Sequence, residues 1–100
     1  MLQGTPRRVM IVGGGRIGYY LGRLIIQMGM KVKLIEIDPD RCLELSELLP
    51  EALIIHGDGT NTEFLESENL NEMDAFIAMT GRDEDNLILS LLAKQAGIQK

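Results

Sequence analysis

The sequence predicts an α/β protein: a doubly wound parallel sheet with strand order 3-2-1-4 that stops short of a fifth strand. Three observations predict it. An apolar run from Val9 to Val12 leads straight into Gly13, Gly15 and Gly18 at the spacing G-x-G-x-x-G. A second apolar run ends in an acidic residue, Glu36, about twenty residues further on. Strand-like and helix-like segments alternate four times, a pattern that closes into parallel βαβ units with right-handed crossovers.

Taken in order, Leu2 to Pro6 is polar and carries Gly and Pro, so residues 1–7 read as a lead-in linker and residues 8–100 as the domain. Arg8 to Val12 is the first strand. Each glycine of the following turn has a mechanical reason: Gly13 permits the tight turn, Gly15 lets a pyrophosphate approach the backbone, and Gly18 lets helix and strand pack closely. A helix is predicted from about Arg16 to Met28, with Ile17, Leu21, Leu24, Ile25 and Met28 on its inward face and Gly29 as its C′ residue. Gly22 lies inside that helix at a cost of about 1 kcal/mol against Ala. Either close approach to a neighbour or simple tolerance accounts for it.

Val32 to Ile37 is the second strand, apolar enough for a buried sheet position. Asp38-Pro39 reads as an N-cap followed by Pro at the first helical position. The second helix runs to about Leu49 with Cys42, Leu45, Leu48 and Leu49 inward, and Pro50 stops it. Ala52 to Ile55 is a third strand, and His56-Gly57-Asp58-Gly59 a turn. Thr60-x-x-Glu63 is a capping box opening a short helix around Phe64 and Leu65. Ala75 to Met79 is the fourth strand. Asp83, Glu84 and Asp85 crowd the start of a last helix, where carboxylates suit the dipole. Leu87, Ile88, Leu91 and Leu92 form its apolar face and Gly97 caps it.

Bulk properties exclude several classes. One hundred residues make one domain at most. A net charge of −5 without any Lys/Arg run argues against a nucleic-acid surface. Cys42 is the sole cysteine and His56 the sole histidine, so neither an internal disulfide nor a structural metal centre is expected, and a reducing compartment fits. No run approaches membrane-spanning length, and the first eight residues lack the apolar core of a signal peptide.

The chemistry-bearing residues gather at the predicted carboxyl ends of the strands. At Glu36 a carboxylate accepts hydrogen bonds from ribose hydroxyls and repels a 2′-phosphate, favouring NAD or an adenosine phosphate over NADP; the competing reading is a solvated strand end. Asp38 competes for that role but is assigned to the cap. Asp58 either reaches an adenine edge or closes an Asx turn, and both can hold together. Thr80 and Gly81 close the fourth strand at the switch point, where ligands sit in such sheets. Arg16 either reaches a phosphate or is a solvated helix residue. His56 reads as a turn residue and Cys42 as half-buried packing. No Ser/His/Asp set and no paired acid and base is present, so catalysis is not expected. A dehydrogenase would need a second domain for the hydride-transfer partner.

Four stretches carry a family resemblance: Val-Met-Ile-Val-Gly-Gly-Gly-Arg-Ile-Gly at 9–18, Leu-Ile-Glu-Ile-Asp at 34–38, His-Gly-Asp-Gly-Thr at 56–60 and Ala-Met-Thr-Gly-Arg-Asp-Glu-Asp-Asn at 78–86. From about Arg8 to Lys100 the chain resembles the nucleotide-binding part of RCK domains, also called KTN or TrkA-N, which regulate potassium channels and transporters. Arg16 and the lead-in look most like the second of two tandem copies in the cytoplasmic subunit of the bacterial Trk potassium uptake system. The resemblance implies a Rossmann-like fold and bound NAD(H), with ATP or ADP as the other candidate. It also implies no chemical turnover, a homo-oligomer (dimer or tetramer), and a cytoplasmic position at the membrane beneath a TrkH-like potassium-translocating subunit. It puts Gly13, Gly15 and Gly18 on the phosphates, Glu36 on the ribose and Asp58 near the adenine, with Thr80 and Asp83 flanking. With the rest of the glycine loop, the candidate cofactor set is Gly13, Gly14, Gly15, Arg16, Ile17, Gly18, Glu36, Asp58, Thr80 and Asp83. The chain departs from the family by ending before the fifth and sixth strands, which reads as an incomplete domain. The reading from a different class is the cofactor-binding half of an NAD-dependent dehydrogenase; a third is a bare scaffold that no longer binds nucleotide.

Overall fold

The computed structural model describes residues 7–13, 15–79 and 93–94. Its elements follow the order β1 (Arg8–Val12), α1 (Arg16–Gln27), β2 (Lys31–Glu36), α2 (Pro39–Leu48), β3 (Leu53–His56), α3 (Thr62–Ser67), a 3-10 turn (Leu70–Glu72) and β4 (Ala75–Ala78). The strands form one parallel sheet ordered β3-β2-β1-β4, as the alternation predicts. Val9 pairs with Val32 on one side and Ala75 on the other, so β1 is hydrogen-bonded along both edges.

Successive strand residues face opposite ways, and the core accordingly splits in two. Val9, Ile11, Val32 and Leu34 pack on one face with Ile25 of α1 and with Leu45 and Leu49 of α2. Met10, Val12, Ile35 and Phe76 pack on the other with Leu65 of α3, Leu70, Met73 and Ala93. Met10, Ile11, Leu34, Ile35, Leu45 and Leu65 are wholly buried, each such side chain contributing about 1.5–3 kcal/mol relative to exposure. Lys33, on β2, reaches across the second face. Its Nζ donates to the Glu68 carbonyl at 2.9 Å and to Glu68 Oε1 at 3.2 Å, tying β2 to the end of α3.

The face that α1 buries is only partly the predicted one: Ile25 is buried and Leu21 packs against the core as expected, but Ile17, Leu24 and Met28 do not. Gly18, Gly22 and Ile25 point inward. Ile17, Leu24 and Met28 are exposed, and Leu21 is half-buried. The cause is steric: with no side chains at positions 18 and 22, the helix settles its glycine side against the sheet, which leaves Ile17, Leu24 and Met28 facing outward. A Cβ at Gly22 would lie 3.3 Å from Leu49 Cδ1, a close approach to the end of one flexible side chain. Gly29 follows the helix with φ +88°, as a C′ glycine should.

Other boundaries shift slightly. β2 ends at Glu36, leaving Ile37 exposed, and β3 begins at Leu53 and takes in His56. In α2, Leu45 and Leu49 are buried and Cys42 is half-buried, but Leu48 faces solvent. Asp38 caps α2 as expected, accepting from Asp40 N at 3.0 Å with Pro39 at the first position. The cap of α3 is Asn61 rather than Thr60: Asn61 Oδ1 accepts the Phe64 N–H at 3.1 Å, while the Thr60 hydroxyl is engaged by Asp58. The 3-10 turn has no counterpart in the sequence reading. The last helix lies outside the described residues except for Ala93 and Lys94, which are helical. Among the described residues no helix is long and apolar enough to cross a membrane, and no group of three or more His, Cys, Asp or Glu could hold a metal.

Candidate functional site

Because all four strands are parallel, their carboxyl ends share one edge of the sheet. Gly13, Glu36, Asp58 and Met79 follow four different strands and converge there. The glycine loop is pinned on both sides: Gly13 N donates to the Ile35 carbonyl at 2.8 Å, and Met79 N donates to the Val12 carbonyl at 2.6 Å.

The three glycines of the loop serve different ends. Gly13 has φ +104°, a left-handed conformation, and a Cβ there would collide with the Met79 carbonyl. A Cβ on Gly18 would fall on the carbonyl oxygen of Gly13. Protein packing alone therefore requires glycine at both positions. Gly15 differs: its backbone is extended and open to any residue, at φ −68° and ψ −169°, and among the described residues a Cβ would meet nothing within 4 Å. Neither the backbone nor any described neighbour demands glycine there.

Gly15 is also the N-cap of α1. This helix has no side-chain cap and no acidic residue in its first turn, whereas α2 is capped by Asp38 and α3 by Asn61. Its leading N–H groups carry the positive end of its dipole, a geometry suited to an anion. Arg16 and Ile17 stand exposed at this end, Ile17 at 65 %.

Glu36, at the end of β2, is only 9 % exposed. Its Oε2 accepts the Asp38 N–H at 2.8 Å. The Glu36 carbonyl accepts the Gly57 N–H at 3.0 Å and is approached by Cys42 Sγ at 3.4 Å. Burial pushes the Cys42 thiol above its ordinary value, and the charges of Glu36 and then Asp38 push the same way. Asp58 forms the Asx turn: its Oδ1 accepts Thr60 N at 2.9 Å and Thr60 Oγ1 at 2.7 Å.

The site thus has a cationic end, from the α1 dipole and Arg16, and an anionic corner of Glu36, Asp38 and Asp58. That polarity matches a molecule with phosphates at one end and hydroxyls and amines at the other. Of the sequence-predicted set, Gly13, Gly15, Arg16, Ile17, Gly18, Glu36 and Asp58 lie along this edge. Gly14, Thr80 and Asp83 lie outside the described residues. The sequence reading passed over His56 as a turn residue. Its Nε2 lies 3.0 Å from the Ile37 carbonyl oxygen, a bond that only the strand register reveals.

Comparison with known proteins gives a consistent picture. A family described as the TrkA-N domain matches residues 9–100. The chain is 45 % identical over 94 residues to Trk system potassium uptake protein TrkA homolog 2 of Methanosarcina mazei, covering 93 % of this chain and 21 % of that protein. It is 44 % identical over 99 residues to Trk system potassium uptake protein TrkA of Vibrio alginolyticus, covering 99 % of this chain and 21 % of that one. It therefore spans about a fifth of the length of these relatives. Among solved structures, the GsuK channel bound to NAD superposes with a TM-score of 0.76 at 21 % identity, covering 95 % of this chain and 17 % of that one. At that identity the likeness shows the fold.

Proposed function

From a chain that belongs to the TrkA-N domain family, we propose a regulatory nucleotide-binding domain that takes NAD(H) at the carboxyl edge of its sheet and controls potassium uptake. The observation that carries this reading is Gly15: a glycine with an ordinary backbone and, among the described residues, no neighbour to avoid, at the uncapped start of α1. A ligand that must approach the main chain explains its lack of a side chain. NAD bound to the similarly folded GsuK channel supports the same choice of ligand.

In this reading the pyrophosphate lies against Gly13, Gly14, Gly15 and Gly18, with Arg16 and Ile17 beside it. The ribose hydroxyls donate to Glu36, and the adenine edge lies near Asp58. Thr80 and Asp83 flank the far end. The negative charge of Glu36 disfavours a 2′-phosphate, which selects NAD(H) over NADP(H). ATP and ADP share the adenosine and phosphates, and are the competing ligands. The relatives are named for potassium uptake and not for an enzymatic activity. The domain accordingly acts by binding, in an oligomer on the cytoplasmic side of a TrkH-like potassium-translocating membrane subunit.

Calorimetry with NAD⁺, NADH, ADP and ATP, and with NADPH for comparison, tests the ligand. Binding of NADH with rejection of NADPH is expected, and absence of heat with NAD⁺, NADH, ADP and ATP alike overturns the reading. Incubation of NADH with a panel of small carbonyl compounds tests the lack of chemistry. A loss of NADH absorbance proportional to protein concentration would favour a dehydrogenase.

A further inference from the structure

Building on the nucleotide reading above, we propose that His56 is a positioning residue that sets the orientation of Glu36 by gripping the single peptide group between Ile37 and Asp38.

The argument turns on one peptide plane. The carbonyl of Ile37 and the N–H of Asp38 are the two ends of the same peptide unit. The carbonyl oxygen lies 3.0 Å from His56 Nε2, and the N–H donates to Glu36 Oε2 at 2.8 Å. Because a carbonyl only accepts, Nε2 carries the proton; the neutral Nε2–H tautomer and the imidazolium both satisfy this. The bonds run in series from imidazole through peptide group to carboxylate. In such a chain each bond polarises the next in the same sense.

Among the described residues little else holds that peptide plane. The β2–β3 ladder ends at the pair Glu36 and His56, and the Gly57 N–H to the Glu36 carbonyl is the last backbone bond between the two strands. Beyond it the chains diverge, one into α2 and the other into the Asp58 turn. The Ile37 side chain is 63 % exposed, so packing does not anchor the residue. A rotation of the plane would break both bonds at once and withdraw the Asp38 N–H from the carboxylate. His56 also sits two residues before Asp58. Its side chain therefore ties the strand end that leads to the proposed adenine contact to the loop that holds the proposed ribose contact.

The test uses the full chain, with NADH as the calorimetric probe. His56→Ala is expected to weaken NADH roughly three- to tenfold, the effect of one lost hydrogen bond. His56→Gln, which keeps a donor, should restore most of it. In a Glu36→Ala background the same His56→Ala change should have almost no further effect, because the group it orients is gone. A role confined to folding would cost the same in both backgrounds, and equal costs overturn the proposal, as does an unchanged affinity in His56→Ala. A second readout needs no ligand. The Asp38 amide should shift in ¹⁵N–¹H spectra and exchange faster in His56→Ala, and return toward wild type in His56→Gln. A wild-type chain that binds no nucleotide but shows this amide response sinks the nucleotide reading and leaves the latch. A wild-type chain that binds NADH with an Asp38 amide indifferent to His56 sinks the latch alone.

Discussion

Glu36 and Asp38, two residues apart, turn their carboxylates to different tasks. Glu36 Oε2 folds over the loop to accept the Asp38 N–H, while Asp38 Oδ1 faces the other way and caps α2 through Asp40 N. Glu36→Ala is therefore expected to weaken NADH by roughly 1–3 kcal/mol, the range for a charge-assisted bond. Asp38→Ala should cost about 1 kcal/mol of stability through the lost cap and leave NADH affinity near wild type. Calorimetry and thermal melting of the two variants separate the roles, and the opposite assignment of effects would refute the division.

The glycine loop offers a sharper contrast. Gly15→Val should abolish nucleotide binding at a stability cost of no more than about 1 kcal/mol, since the position is an N-cap at which a Cβ meets none of the described residues. Gly13→Ala meets both a left-handed backbone and the Met79 carbonyl, and should destabilise the fold by about 1–3 kcal/mol. A Gly15→Val protein that binds NADH normally would remove the main support for the site.

Arg16 tests ligand discrimination. NADH and ATP share adenosine and differ beyond the pyrophosphate, and in the proposed mode of binding Arg16 is beside that pyrophosphate. A ligand shifts an equilibrium only by its different affinity for two states, so a residue that senses the difference should weigh the two unequally. Arg16→Ala is expected to change the ratio of NADH to ATP affinity and to blunt ligand-dependent potassium flux. Equal weakening of both ligands with flux intact would discard that role.

Cys42 gives a pH-dependent prediction. Burial, with the charges of Glu36 and Asp38 added, holds its thiol above the ordinary value of 9.0. Folding thus keeps the proton on. The associated stability is fully present below about pH 9 and is lost as pH rises through the higher folded value. Alkylation by iodoacetamide at about pH 8 should be slower than for a free cysteine peptide. Glu36→Gln, which removes one of the charges, should speed it. Alkylation faster than the free peptide would contradict the assignment.

The strand order, the Asp38-Pro39 start of α2 and the C′ role of Gly29 were legible because each rests on local chemistry or on an alternation rule. The inward face of α1 was legible only in part. Apolar periodicity counts large side chains, and the buried side of this helix is formed partly by Gly18 and Gly22, which carry none. The same blindness hid the true cap of α3: Thr60 fits the local pattern, but Asp58 engages its hydroxyl, leaving Asn61 to cap. At the site, the spacing picked out Glu36 and the three glycines. The bond from His56 to the Ile37 carbonyl depends on how β2 and β3 are registered, and no single stretch of sequence encodes that.

The strand order has a consequence for the way the sheet breathes. β1 is bonded along both edges, to β2 and to β4, whereas β3 has β2 as its only partner among the described residues. Amides from Val9 to Val12 should be among the last to exchange with deuterium, and those from Leu53 to His56 among the first of the strand amides. The phosphate end of a nucleotide would then hang from the stiffest strand and its adenine end from a strand that frays more readily. A ligand spanning both would slow exchange most in β3, so its grip would be recorded at the sheet's looser margin.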